Sequence, residues 1–309
     1  VTEDDVPSTT PKPSRGMSRT QKIVFFATGW LIVLMPFLFW WNTWFGRHLS
    51  DQQLTEYLHD DKKPRHIQQA LVQISERISH NDAAVKQWYP DLQRLATDPV
   101  EEVRNTDAWV MGQDTSGAGF HEMLLRMLND VSATVRGNAA LSLVRFGDAT
   151  GRPQIVALLQ PAEVRVPTSG QIGPSAPQDL WSDKGRTAGV VDTAAAGIAI
   201  REGGVVAKLG VAVFTGGASV IELHSPITGR VRTLETQRGR QVHAGDLIAV
   251  IDPGTEQVWE ALRALYVVGQ MDDLAAVRPY ERELPEISND VRLQAAATEK
   301  AIRSRAGVD

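Results

Sequence analysis

"VIELHSPITGRV", residues 220–231, joins two short β-type runs across a Ser-Pro turn. Its centre follows a simple rule: Pro226, two residues, Gly229, one residue, then the β-branched Val231. An earlier stretch, "VPTSGQI" (166–172), repeats the rule with Pro167, Gly170 and Ile172. After the second copy the chain continues "RTLETQRGRQVHAGDLIAVID", where Gly239, Gly245 and Asp246 are spaced for tight turns between short strands. A β domain is therefore expected over residues 162–253. The segment 173–196, rich in Gly, Pro, Ala and Asp, reads as irregular.

Outside this stretch the pattern is helical. Apolar residues recur at helical spacing at Ile67, Leu71, Ile74 and Ile78, and again at Val85, Trp88, Leu92 and Leu95. Three related segments follow: "DPVEEVRNTDAW" from Asp98, "DVSATVRGNAAL" from Asp130 and "EISNDVRLQAAA" from Glu286. Each holds a Val-Arg pair and, four residues after the Arg, an alanine: Val103, Arg104 and Ala108; Val135, Arg136 and Ala140; Val291, Arg292 and Ala296. Residues four apart share a helix face, so the small residue admits a neighbouring helix while the Arg reaches an acceptor in the adjacent turn. "GRPQIVALLQP" after Gly151 reads as the first helix of a pair whose second helix, "TEQVWEALRALYVVG", returns only at Thr255. The β domain is thus expected as an insertion in the turn of one helical pair, with helical repeats over 66–161 and 254–309.

The helical segments resemble HEAT repeats, and the two half-motifs resemble the barrel-sandwich hybrid fold of biotinyl and lipoyl domains and of membrane fusion proteins. In carrier domains the modified lysine sits at a hairpin tip before the inner Ser-Pro. Counting back from Ser225 reaches Ala218 and Gly217, neither of which can be acylated, so the resemblance implies a carrier-shaped module without its arm. Lys208 and Lys184 lie elsewhere in the pattern.

At the other end, residues 1–22 are polar and Pro-rich and are expected to form a disordered cytoplasmic tail. "IVFFATGWLIVLMPFLFWWNTWF" (23–45) carries no charge and, as a helix of roughly 34 Å, is long enough to cross a bilayer. Trp40, Trp41 and Trp44 suit the headgroup region, and the length and bulky end favour an uncleaved anchor over a signal peptide. Lys12, Arg15, Arg19 and Lys22 precede it, which places the N-terminus in the cytoplasm and the remainder outside a bacterial inner membrane. A juxtamembrane segment (46–65) follows, with "SDQQ" from Ser50 as a capping box. The expected fold class is mainly α with a β insert: a single transmembrane helix, a HEAT-like α-solenoid and an inserted barrel-sandwich hybrid domain.

Chemistry is sparse in the sequence. A net charge of −5 without a long basic run gives no footprint for nucleic acid, and the absence of cysteine removes disulfide and thiolate chemistry. The seven histidines are scattered, no pair has metal-binding helix spacing, and His224 and His243 are read as separate strand or turn residues. Phosphate loops, dinucleotide fingerprints and nucleophile elbows are missing. Asp91, Asp98, Glu101, Glu102 and Asp107 are read as capping or solvated carboxylates. Trp109 and Trp259 are expected between helices, and Trp181 is the candidate protein contact. No metal, cofactor or catalytic residue is expected. The expected function is a non-catalytic adaptor or scaffold binding protein partners in a membrane complex, with 23–45 in the lipid. Two alternatives are a membrane-fusion-type adaptor of an efflux or secretion pump and an accessory subunit of a respiratory or biotin-dependent enzyme complex.

Overall fold

The computed structural model describes residues 19, 25–26, 28–32, 34–35, 48–168, 187–212 and 218–308. It divides into two compact units, Val1–Ser50 and Asp51–Asp309. In the first unit the described positions up to Met35 are helical, with Phe25, Phe26, Trp30 and Ile32 exposed.

The second unit begins with α1 (Asp51–Leu58) and α2 (Pro64–Ser79). After the 3-10 turn Ala83–Trp88 come α3 (Tyr89–Leu95), α4 (Glu101–Met111), α5 (Phe120–Met127), α6 (Ala133–Arg145) and α7 (Arg152–Ala157). Beyond the strands lie α8 (Thr255–Val268), α9 (Leu274–Val277), the 3-10 turn Arg278–Glu281 and α10 (Asn289–Arg305). The longer helices α2, α4, α6, α8 and α10 pack on one another in that order, and each is backed by a shorter neighbour. The spacing of Leu71, Ile74, Val103, Ala108, Val135 and Ala140 explains why, since all six are fully buried on the packed faces. Gly151 lets α7 approach α6 closely, because a Cβ there would lie 2.7 Å from the Ala140 Cα.

Two of the three Val-Arg motifs do the same work. Arg104 donates to the Asp98 carbonyl at 2.8 Å, and Arg136 to the Asp130 carbonyl at 2.7 Å, so each arginine ties down the turn that starts its own helix. The third motif departs from this. Arg292 donates to Asn289 at 2.8 Å, and Ala296 is exposed while Ala295 is buried.

Between α7 and α8, which pack on each other, the chain builds two four-stranded antiparallel sheets. The strands are β1 (Ala162–Arg165), β2 (Thr187–Thr193), β3 (Ala199–Ile200), β4 (Val205–Ala212), β5 (Ala218–His224), β6 (Gly229–Leu234), β7 (Gln241–His243) and β8 (Leu247–Pro253). Their orders are β1-β8-β6-β3 and β5-β4-β2-β7. The sheets share one core, to which Val190, Leu209 and Leu223 contribute from one sheet and Val231, Ile248 and Ile251 from the other. First and last strands are neighbours, Ala162 opposite Ile251, so the chain leaves and re-enters the helices at one place. The opening stretch crosses between the sheets, with residues 220–224 in β5 and 229–231 in β6. Gly229 is required at that crossing, because a Cβ would lie 1.8 Å from the Asp252 carbonyl oxygen.

The expected fold class needs correction. The protein is about 52% helical, with two small antiparallel sheets, and these elements by themselves identify neither a HEAT-like solenoid nor a barrel-sandwich hybrid. Among the described residues no helix is long and apolar enough to cross a membrane. Within 23–45 the described positions 25–26, 28–32 and 34–35 are helical, and the rest of that stretch, with the tail 1–18, lies outside the described residues. The single transmembrane helix is therefore overturned, and the inner-membrane placement built on it falls as well.

Candidate functional site

A groove of about 560 Å³ lies where the β1–β8–β6 sheet meets the last helices. Its floor is apolar, formed by Leu159, Pro161, Pro253, Val258, Ile287 and Val291. The chain creates it because Pro161 and Pro253 mark the exit from and return to the helices, while the Arg278–Glu281 turn folds back across them. Pro279 is the second residue of that turn, where its missing amide costs no helical hydrogen bond. Tyr280 follows, and its hydroxyl donates to the Leu159 carbonyl at 2.7 Å.

Charged side chains line the same groove. Arg232 Nε donates to Asp252 Oδ2 at 2.9 Å, with Arg232 Nη2 against Asp252 Oδ1 completing a two-pronged pair. Arg282, Leu284 and Glu286 complete that edge, and Leu284 is 45% exposed. Burial pushes the Tyr280 phenol up to about 12, and the nearby Asp252 carboxylate adds to it. The phenol is thus a neutral donor at physiological pH, suited to holding a backbone carbonyl and unsuited to acting as a base.

One further contact fixes the β module to the helices. Glu202, in the turn before β4, accepts from the Ala133 and Thr134 amides at 3.0 Å each and from the Thr134 hydroxyl. A carboxylate on these first-turn amides satisfies donors that the α6 helix cannot and complements its dipole.

The residues singled out in the sequence are distributed differently. Trp181, Gly170 and Gly217 lie outside the described residues. Ala218 opens β5 opposite Ala212, and Lys208 pairs across the same hairpin with Glu222 at 2.7 Å. Pro167 follows Val166, whose amide donates to the Asp246 carbonyl at 2.9 Å, and Pro226 lies between the buried Ser225 and Ile227. Gly245 has φ +89° in the turn where the His243 amide donates to the Asp246 carboxylate at 2.8 Å. These half-motif residues shape turns. His224 contacts the Gly203 carbonyl and His243 lies beside Asp246. Among the described residues no three metal-ligating groups converge.

Two expectations fail here for reasons of packing. Trp109 is 43% exposed, lining a second, smaller hollow of about 370 Å³ between α4, α6 and α8. Asp107 is neither a cap nor solvated: it is fully buried in α4, and neither carboxylate oxygen has a hydrogen-bond partner. Burial raises its carboxyl well above the usual range despite the opposing Arg94 charge. The sequence reading did not single out Tyr280, Arg232, Asp252 or Glu202; "VRPYEREL" was the available signal, since a Pro-Tyr inside a helical pattern marks a turn with an amphipathic side chain.

The chain matches no family model, and no curated protein matches it.

Proposed function

We propose that this chain is a non-catalytic scaffold that binds protein partners, and that its β module is a fixed docking unit and not a swinging carrier. The Glu202 clamp on α6 carries this reading. A module tied by a two-pronged carboxylate to a helix N-terminus is held in one orientation, and the carrier-like hairpin has Ala218 where the resemblance calls for lysine. The seam groove is the docking site in this proposal. Its apolar floor and mixed-charge rim suit an extended peptide segment, with the Arg232–Asp252 pair and Tyr280 available to backbone and polar groups.

The test uses the full chain with a photo-reactive amino acid in place of Leu284. Crosslinks to a protein segment, lost when Ala276→Arg fills the groove, are the expected result. Intact-mass measurement of the same sample is expected to show no lipoyl or biotinyl addition. A lysine within 162–253 carrying either group would overturn the fixed-module reading.

A further inference from the structure

The long helices are not locked to one another evenly. Side-chain hydroxyls tie α6 to α4 and α10 to α8, Ser142 donating to the Ala108 carbonyl and Thr298 to the Leu262 carbonyl, at 2.9 Å each. Among the described residues no side-chain hydrogen bond joins α6 to α8, and these two helices touch less extensively than either does with its other long neighbour. The hollow of about 370 Å³ between α4, α6 and α8 opens at this looser contact. Trp109 of α4 and Leu141 of α6 supply its apolar surface, and Trp109 stays exposed there. Asn138 of α6 donates through Nδ2 to Asn105 Oδ1 at 2.7 Å, which leaves the Asn138 side-chain carbonyl able to accept from outside. Charge in the hollow is unbalanced. Arg145, the last residue of α6, donates only to neutral oxygens, the Gly112 carbonyl at 3.3 Å and Gln113 Oε1 at 2.6 Å, both through Nη1. It has no carboxylate partner among the described residues. Arg263 of α8 pairs with Glu260 at 3.3 Å and lies over Trp259, 4.6 Å from the ring centroid. Two guanidinium groups and one carboxylate thus line the hollow, leaving it one positive charge in a chain of net charge −5.

We propose that this hollow is a second docking site, for a protein segment that carries a carboxylate next to an apolar side chain. The carboxylate takes Arg145, whose Nε and Nη2 make no other bond among the described residues and offer the parallel pair of donors that a carboxylate matches. The apolar side chain packs on Trp109, a broad flat surface with little conformational entropy to lose. A backbone amide of the segment donates to Asn138 Oδ1. One carboxylate is favoured over a phosphate chain because Glu260 shares the hollow, so a single added negative charge balances it and a run of them is repelled. The volume falls at the lower end of the range for ligand pockets, roughly 300–1,000 Å³, which suits the side chains of a short segment. The site rests on the reading that this chain binds protein segments, and it makes no use of the seam groove.

NMR titration of the full chain tests this, with an end-blocked pentapeptide of glycine, leucine, aspartate, leucine and glycine as the probe and its asparagine counterpart as the control. The aspartate peptide is expected to shift the Trp109 indole N–H and the backbone amides of residues 138–145, and to bind about tenfold more tightly than the asparagine peptide. Arg145→Ala is expected to remove that preference, and Arg145→Lys to keep part of it, because the charge stays and the fork is lost. Glu260→Gln leaves the Arg145 contacts in place and is expected to tighten binding about twofold, so the charge argument is read even if Arg145→Ala loosens the end of α4. Equal binding of the two peptides, a preference that survives Arg145→Ala, or weaker binding in Glu260→Gln would each overturn the site. A dimer of the unliganded chain in sedimentation that Trp109→Ala breaks would also overturn it, since a second copy would then fill the hollow. Peptide binding abolished by Ala276→Arg would belong to the seam groove, overturning this site and leaving the scaffold reading standing. Binding at the hollow with no crosslink from position 284 would overturn the seam groove as a docking site and leave this one standing.

Discussion

Across the α4–α6 contact, the Ser142 hydroxyl donates to the Ala108 carbonyl at 2.9 Å, and Arg145 reaches the Gly112 carbonyl at the end of α4. Across the α8–α10 contact, the Thr298 hydroxyl donates to the Leu262 carbonyl at 2.9 Å, and Arg305 reaches the Gly269 carbonyl at the end of α8. The hydroxyls correspond in spacing, each six residues after the motif arginine; a second arginine on the last free carbonyls of the preceding long helix recurs too, though three residues past the hydroxyl in α6 and seven in α10. The turns that lead into α6 and α10 do not correspond. Before α6, Asp130 receives two bonds from Arg104, at 2.7 and 2.9 Å, and its oxygen also accepts from the Ser132 amide. Before α10 the chain detours through α9 and the Arg278–Glu281 turn, and the tie becomes Glu299, which accepts from Arg278 and Arg303. One helix-to-helix lock is thus combined with two kinds of turn closure. The first joins two mostly buried side chains, and the second joins Glu299 to a half-exposed Arg278.

The largest test of this contrast is Arg104→Ala. The Arg104 and Asp130 side chains are each only 11% exposed, and the arginine also holds the Asp98 carbonyl. Removing one partner of a mostly buried pair leaves Asp130 uncompensated and is expected to cost about 3–5 kcal/mol in urea unfolding. A loss below about 1 kcal/mol would show that the Asp turns do not hold the α4–α6 stack.

Asp107 gives the next effect, of opposite sign. It sits three residues after Arg104 on α4, fully buried and unpartnered. Asp107→Asn keeps the shape without a titrating charge and is expected to stabilise the protein by roughly 2 kcal/mol at pH 7. The folded carboxyl is raised, so the wild type binds more protons folded than unfolded and loses stability as pH climbs out of the ordinary carboxylate range. The difference between variant and wild type should therefore widen from about pH 4 upward. A gap that narrows with rising pH would mean that a partner for the ionised form exists.

These two residues also show how far the sequence could be read. The Val-Arg-Ala spacing pointed to arginines closing turns, and Arg104 and Arg136 do so because their acceptors lie only five and six residues back. The same spacing misassigned Ala296, because a shift of one residue in helix phase buries Ala295 in its place and leaves no mark in composition. Strand turns around Gly239, Gly245 and Asp246 were legible, since glycine at positive φ has a local cause. The seam was not legible. Glu202 and Thr134 are 68 residues apart, and Tyr280 and Leu159 are 121 apart; no periodicity links partners that only the folded chain brings together. Trp109 falls on the second helix of a pair, where packing between helices is expected, but it lines the hollow between α4, α6 and α8 and stays 43% exposed.

Glu202→Gln addresses that seam. Gln keeps one acceptor oxygen but loses the second, along with the charge that faces the α6 amides. The expected cost is about 1 kcal/mol in thermal unfolding, with faster amide exchange at residues 200–204 and at the start of α6. Unchanged exchange at both places would remove the clamp as the device that fixes the module.

The smallest effect is expected at Arg292, and that is its value. It occupies the motif position of Arg104, yet its partners are Asn289 at 2.8 Å and Glu283 at 3.5 Å, the latter with a side chain 91% exposed. An exposed pair of this kind loses most of its attraction to solvent screening and to the entropy of ordering two long side chains. Arg292→Ala is expected to cost no more than about 0.5 kcal/mol, against several for Arg104→Ala under the same conditions. If the two substitutions cost the same, the α10 turn is closed by its motif arginine after all. If only Arg104 matters, the α10 turn is held instead by the Arg278 and Arg303 contacts to Glu299.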